Sequence, residues 1–395
     1  MDQQYVNESY VLTCLPTVIN NVLNCMTAQE LNVCARVCRC WSSAVRVIKD
    51  KRQERKLISW FSVEITDEED VVEVFDQIED FVKSQYSEPA MLFLFCQLQI
   101  STRKFRMSPR KPRPRHPKRA AKLKQVEFVD LVKSYLPMTC KFIGVSTNGV
   151  IGTSSNLDKI QEVEGEMFVS LLYIPHIKGV DILTLHANIR EENITTFIPK
   201  EKAVKTILLF CDDPRCPPQI GNTLRENYKG AVIAGGYIDC HVPDLGDGRT
   251  FDWDDESKPI FVSCVALCGE NVQCASIVLD HKIYTPQTIE DKLLKLKACG
   301  LPEEKSFAFM FACFARGKYF YQKENVESSI FKKLFPKTPL FGFFGNGEIG
   351  FTHLPGASSG DTRLQLEGGE GQSKGKKSSK MHHAYSTVFC LVSIT

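Results

Sequence analysis

Cys313 ends an apolar run, Phe309-Met310-Phe311-Ala312, and is followed by Arg316 and then by a glycine-rich stretch holding Asn346, Gly347 and Glu348. A thiol beside a carboxylate could act as a nucleophile, but that chemistry needs a base oriented on the sulfur and an oxyanion site. The eight histidines of the chain sit in no recognisable motif. Cysteine also closes two comparable runs, Leu92-Phe93-Leu94-Phe95-Cys96 and Ile207-Leu208-Leu209-Phe210-Cys211. A small residue at a strand end is therefore the plainer reading of Cys313, and no catalytic residue is expected. Cys313, Arg316, Asn346, Gly347 and Glu348 stand instead as a candidate substrate or ligand pocket, because glycine lets backbone approach a ligand closely. Turn chemistry alone also accounts for Asn346-Gly347.

The other cysteines invite a metal reading at Cys34, Cys38 and Cys40, or at Cys211 and Cys216. No Cys-x-x-Cys pair occurs, and no histidine lies near either group in sequence, so no metal and no cofactor is expected. Cys34 and Cys38 fit an apolar helical stripe, where free cysteine behaves as a small hydrophobe. The start, Met1-Asp2-Gln3-Gln4, carries neither a basic region nor an apolar core, so a secretory signal is not expected. Sixteen cysteines in a reducing compartment read as thiols. There is no apolar run long enough for a membrane helix.

Charge is unevenly spread. Residues 102–124 hold eleven Lys or Arg and no acid; taking them out of the net charge of +2 leaves −9 on the rest. With Phe105 as its only aromatic, this segment lacks stacking partners for bases, so nucleic acid is not the expected partner. An import signal or a contact for an acidic partner fits as well, and puts the chain in cytoplasm and nucleus. Residues 102–124, with four prolines, and residues 355–380, rich in Gly, Ser and Lys, read as inserts without the apolar content to order themselves.

The elements that must carry these residues fall into two kinds. Leu12, Leu15, Ile19, Val22, Leu23 and Met26 recur at spacings of three and four and predict a helix. Thr27-Ala28-Gln29-Glu30 reads as a capping box that starts another. Its stripe runs Leu31, Cys34, Cys38, Trp41, Val45 and Ile48. Such a short helical module cannot bury enough surface to stand alone and needs a partner, either its own body or another chain.

Beyond residue 56 the chain is strand-rich and internally repeated. Each of the three cysteine-ended runs is followed by a predicted helix, near 119–135, 218–228 and 325–335. A glycine turn comes next, at Asn148-Gly149, Gly235-Gly236 and Asn346-Gly347. A further strand follows, at 167–173, 261–267 and 385–394. Asn-Gly between apolar runs predicts a hairpin. Outside the units, Thr285-Pro286 with Ile289, Leu293, Leu296 and then Gly300 delimits another helix. The fold class is α+β: a small all-helical N-terminal module, then a layered body with sheets covered by helices.

Leu15-Pro16, Val22-Leu23, Leu31 and Val37-Cys38-Arg39-Cys40-Trp41 resemble an F-box, with Met26-Thr27 where a second Leu-Pro often stands. The stretches 308–317 and 339–350 resemble FIST domains, an α+β sensory module. The resemblance implies an F-box at 10–56, a FIST N-terminal domain at 57–200 with the basic insert 102–124, and a FIST C-terminal domain at 201–395 with the insert 355–380. It also implies a non-catalytic substrate receptor of an SCF-type ubiquitin ligase. Leu15, Pro16, Val22, Leu23, Leu31, Val37 and Trp41 would meet a Skp1-type adaptor and through it a cullin, while the body would hold protein substrates for degradation. The alternative is a sensor whose FIST pocket takes a small ligand.

Overall fold

A computed structural model describes residues 15–55, 58–65, 70–97, 104–107, 124–189, 194–217, 219–242, 260–356 and 380–395. The N-terminal module is three helices: α1 (Pro16–Asn24), α2 (Ala28–Cys34) and α3 (Arg39–Gln53). Proline at the first turn of α1 loses nothing, since that amide has no helical acceptor. The capping box at α2 is present: the Thr27 amide donates to Glu30 Oε2 at 2.8 Å, and the Glu30 amide to Thr27 Oγ1 at 3.3 Å. Ile19, Leu23, Leu31, Cys34, Val45 and Ile48 form its core, with Met26 and Trp41 packed against them. The predicted stripe through Cys38 is broken. Residues 35–38 leave the helix, and Cys38 caps α3 by accepting the Trp41 amide on its sulfur at 3.5 Å. Leu12 lies outside the described residues.

The body consists of three mixed sheets around one apolar centre. Each sheet is built on the same three strands. A central strand has a parallel neighbour reached through a helical crossover, and an antiparallel neighbour supplied later in the chain. In the first sheet these are β2 (Pro89–Gln97), β5 (Lys141–Thr147) and β8 (Met167–Pro175). In the second they are β10 (Val204–Cys211), β11 (Val232–Tyr237) and β13 (Phe261–Cys268). In the third they are β15 (Ser306–Cys313), β16 (Leu340–Gly345) and β19 (Thr387–Ile394). The crossover helices are α5 (Phe128–Ser134), α6 (Gln219–Asn227) and α9 (Val326–Leu334). The internal repeat is thus real structure.

The glycine turns do not make the predicted hairpins. After β5 the chain leaves for the third sheet, where β6 (Gly149–Thr153) pairs with β16 and with β7 (Ile160–Glu164). After β11, β12 (Cys240–Val242) pairs back onto β5 in the first sheet. After β16, β17 (Glu348–Gly350) pairs with β11 in the second, and with β18 (His382–His383). Each unit lends one strand to another in a closed exchange, so the sheets interleave across residue 200. Sheet-edge strands β1 (Ser59–Ile65), β9 (Asp181–Asn188) and β14 (Val272–Leu279) complete the three layers. Glycine is required where the paired strands come closest. At Gly342, φ is +149°, and a Cβ would lie 1.9 Å from the Met310 carbonyl oxygen.

Strand alternation sorts the side chains. Phe93, Phe95, Phe210, Phe309, Phe311 and Phe343 meet in the shared centre, with Phe311 and Phe343 ring centroids 5.1 Å apart. The opposite faces pack under helices: α4 (Asp70–Lys83) and α5 on the first sheet, α6 on the second, α7 (Pro286–Lys297) and α9 on the third. α4 is not among the predicted helices, although Val74, Phe75, Ile78 and Val82 show helical spacing. The helix predicted near 119–135 begins only at Phe128, because residues 124–127 are strand β4 (Lys124–Glu127), paired with β3 (Lys104–Met107). The basic segment is therefore extended and paired at both ends; residues 108–123 lie outside the described residues, as do 357–379.

Candidate docking site

The helical module meets the body through α2 and α3. Arg52, buried near the end of α3, donates to the carbonyls of Tyr86, Asn24 (3.1 Å) and Met26 (2.8 Å), and its guanidinium lies 5.4 Å from the Tyr86 ring centroid. The Ala28 amide donates to the Gln85 carbonyl at 2.8 Å, and the Lys178 amide to the Gln53 carbonyl at 3.1 Å. Lys49 and Asn32 both reach Glu88, at 2.8 and 2.9 Å. These contacts hold the carboxylate of Glu88 below the usual range, against the opposing effect of burial.

The predicted docking residues divide between the inside and the outside of this module. Leu23 and Leu31 are fully buried in its core, and Trp41 is half-buried against it. Leu15, Pro16, Val22 and Val37 are exposed, Val37 to 62%. Val33 and Val47, off the helical stripe and not singled out in the sequence, are exposed as well, at 57% and 48%. The module's own core is satisfied without these side chains. Among the described residues nothing shields these apolar side chains from solvent.

The five residues of the predicted pocket gather in part. Cys313 is half-buried at the end of β15, and its amide donates to the Ser386 carbonyl at 2.9 Å. Glu348 on β17 is fully buried; its Oε2 accepts the Ser386 hydroxyl at 2.5 Å and the Ser386 amide at 3.2 Å. Burial pushes the Glu348 carboxyl up to about 8. Burial, then the neighbouring Glu348 charge, pushes the Cys313 thiol up too. A thiol held protonated beside a carboxyl held protonated is the reverse of an activated thiolate. Arg316 is wholly buried and committed elsewhere, to Glu327 Oε1 at 2.9 and 2.6 Å, Thr387 Oγ1 at 3.1 Å and the Ile283 carbonyl at 2.7 Å. Asn346 is exposed, and Gly347, at φ +135°, passes its carbonyl to the Tyr237 amide at 3.0 Å. That pair of residues is a junction between two sheets.

The register also corrects the alignment of the three cysteine-ended runs. Leu94, Leu209 and Met310 are equivalent, each opposite a glycine of its parallel neighbour (Gly144, Gly235, Gly342). Cys96 and Cys211 therefore match Ala312, and Cys313 matches Gln97 and Asp212. A one-residue slip moves a side chain to the other face of a strand. That is why Cys96 and Cys211 are sealed under helices while Cys313 is not.

Residues not foreseen complete the region. Two carboxylates of β7 clamp the segment that follows Arg316. Glu164 Oε1 accepts the Lys318 amide at 2.7 Å, at the start of α8 (Lys318–Tyr321), and Glu162 Oε1 accepts the Ser328 amide at 2.7 Å. Asn325 Oδ1 accepts the Glu162 amide at 2.6 Å. Burial and the nearby Glu327 raise the Glu162 carboxyl to about 7. Next to this clamp lies an open cleft of about 710 Å³ between the start of α7 and residues 320–330, and none of the five predicted residues is in its wall.

Two family models match the chain: the F-box domain over residues 12–53 and the FIST C domain over residues 253–351. The chain is 27% identical to F-box only protein 22 of Pongo abelii and 28% identical to F-box only protein 22 of Homo sapiens. Each likeness covers 97% of this chain and 94% of the relative. The helical module is thus an F-box domain, and the FIST C match takes in β14, β15 and β16 of the third sheet with α7 and α9, and β13 and β17 of the second, but leaves out β6, β7 and β19.

Proposed function

We propose that the chain is the substrate receptor of an SCF-type ubiquitin ligase, in which the F-box docks on a Skp1-type adaptor and the three-sheet body holds a protein substrate for ubiquitination and degradation. One observation carries this reading. A helical module with a filled core, fixed to its own body by α2 and α3, still presents Leu15, Val22, Val33 and Val37 to solvent. Such a surface suits a helix-in-groove partner. No residue of the chain has to make or break bonds. The receptor raises the effective concentration of a substrate lysine at a thioester formed elsewhere in the complex, which is catalysis by proximity. The Arg52 hub contributes by fixing the angle between adaptor and substrate. The basic residues of 102–124 fit an import signal, and so a chain that works in cytoplasm and nucleus.

The test is capture of purified Skp1 by the full chain and by Val37→Glu and Leu15→Glu variants. The wild type binds and the variants do not, at unchanged melting temperature. Binding that survives both substitutions would sink the reading.

A further inference from the structure

This inference rests on the receptor reading and names where and how a substrate is held. We propose that the cleft between the start of α7 and residues 320–330 is the docking site for a substrate segment that carries a bulky apolar side chain next to an acidic residue.

The cleft is of a size that holds side chains rather than an ion. Its volume of about 710 Å³ falls in the usual range for ligand sites, roughly 300–1,000 Å³. Its walls are aromatic and aliphatic: Tyr284, Phe320, Tyr321, Val326 and Ile330. Tyr284 and Phe320 stand edge to face across the mouth, centroids 6.4 Å apart, and each is about half exposed. Exposed aromatics set together are what a protein interface uses as anchors.

The lining itself carries a cation and no acid. Lys323 and His281 line the cleft, and among its lining residues there is no carboxylate. Thr285 and Pro286, also in the wall, open the twelve-residue α7, whose first amides give that end positive character. Outside residues 102–124 the chain carries net negative charge, so an apolar cleft lined by Lys323 and by no carboxylate differs from the average surface of the chain. An acidic residue flanking an apolar anchor complements it.

The site is also formed in advance. Gln322 and Asn325 both hold left-handed backbone, at φ +52° and +56°, a conformation that non-glycine residues adopt at a cost. The clamp of Glu162 and Glu164 and the Arg316–Glu327–Tyr321 network behind the wall hold the segment there. A wall already fixed loses little freedom when a segment docks.

The test pans a displayed library of random dodecamer peptides on the full chain. The winning peptide is then synthesised with a fluorescent label. The expected winners place Phe, Trp or Leu within two residues of Asp or Glu. Phe320→Ala and Lys323→Glu each weaken the labelled peptide at least tenfold, and exchanging its acid for Lys restores binding to Lys323→Glu. Skp1 capture by both variants stays at the wild-type level and shows that they are folded. No enriched class overturns the proposal. So does a class with basic or uncharged flanks, or binding indifferent to both substitutions. If the peptide binds as described while Skp1 does not, the cleft stands and the receptor reading fails.

Discussion

Arg316 places both Nε and Nη2 on one oxygen of Glu327, at 2.9 and 2.6 Å, with both side chains shut off from solvent. Tyr321 adds its hydroxyl to the same oxygen at 2.6 Å. A buried ion pair of this kind contributes little over an apolar replacement, but removing one partner strands a charge. Arg316→Met should therefore cost about 3–5 kcal/mol in denaturant unfolding. The double variant Arg316→Met/Glu327→Leu should recover much of that loss. A double variant no better than the single one would show that the pair contributes through its carbonyl contacts instead.

Within the F-box the structure separates two kinds of leucine. Leu31→Ala empties a fully buried site and should cost about 2–5 kcal/mol. Leu15→Ala changes an exposed residue and should stay within about 0.5 kcal/mol in the same melts. Skp1 affinity should rank the other way in proportion to stability lost: Leu15→Ala weakens capture of a fully folded chain. Equal melting losses for the two variants would contradict this division.

The buried carboxyl of Glu348 makes stability depend on pH. Its pKa is raised from 4.5 to about 8, so the native state keeps a proton that the unfolded state has lost. Stability from this group is full below 4.5 and is lost as pH rises through 8. His241 works the other way: burial lowers it from 6.5 to about 4, so its contribution is lost as pH falls through that range. Glu162, raised to about 7, acts in the same direction as Glu348 but is spent as pH passes 7, so between pH 7 and 8 the Glu348 slope is what remains of the three. Melting temperature should fall across that window, and Glu348→Gln should flatten the fall. An unchanged slope in Glu348→Gln would place its origin elsewhere.

The extent to which the fold could be read from sequence follows the range of the contacts involved. The capping box at Thr27 and Glu30, the helix after Thr285-Pro286 and the third strand of each unit are local patterns, and all are present. The strand exchange was not legible. Asn148-Gly149 and Asn346-Gly347 carry the composition of a hairpin turn, and only pairing with strands more than a hundred residues away decides that the chain crosses to another sheet instead. The same holds at the site. Val37 and Leu31 look alike as apolar residues of one motif, and their opposite burial depends on how three helices pack. The clamp between Glu162 and Ser328 joins residues 166 apart. Arg316 was visible as a charged residue in an apolar stretch, but its partner Glu327 was not.

Arg52 links the two halves of the proposed mechanism, because its three carbonyl acceptors lie on both sides of the joint: Asn24 and Met26 in the F-box, Tyr86 in the body. Arg52→Ala removes the donor of three part-buried hydrogen bonds, each contributing about 0.5–1.5 kcal/mol. The loss should be local. Amide exchange should quicken at Ala28, whose N–H crosses the joint to the Gln85 carbonyl, and stay slow in β15 and β19. Lysine should rescue poorly, since a single ammonium lacks the planar fork that spans separate acceptors. If the joint sets the distance from captured substrate to the transferring enzyme, Arg52→Ala should bind Skp1 and substrate normally yet ubiquitinate fewer lysines per encounter. Unchanged transfer, with faster exchange at Ala28, would show that the joint's rigidity serves stability alone.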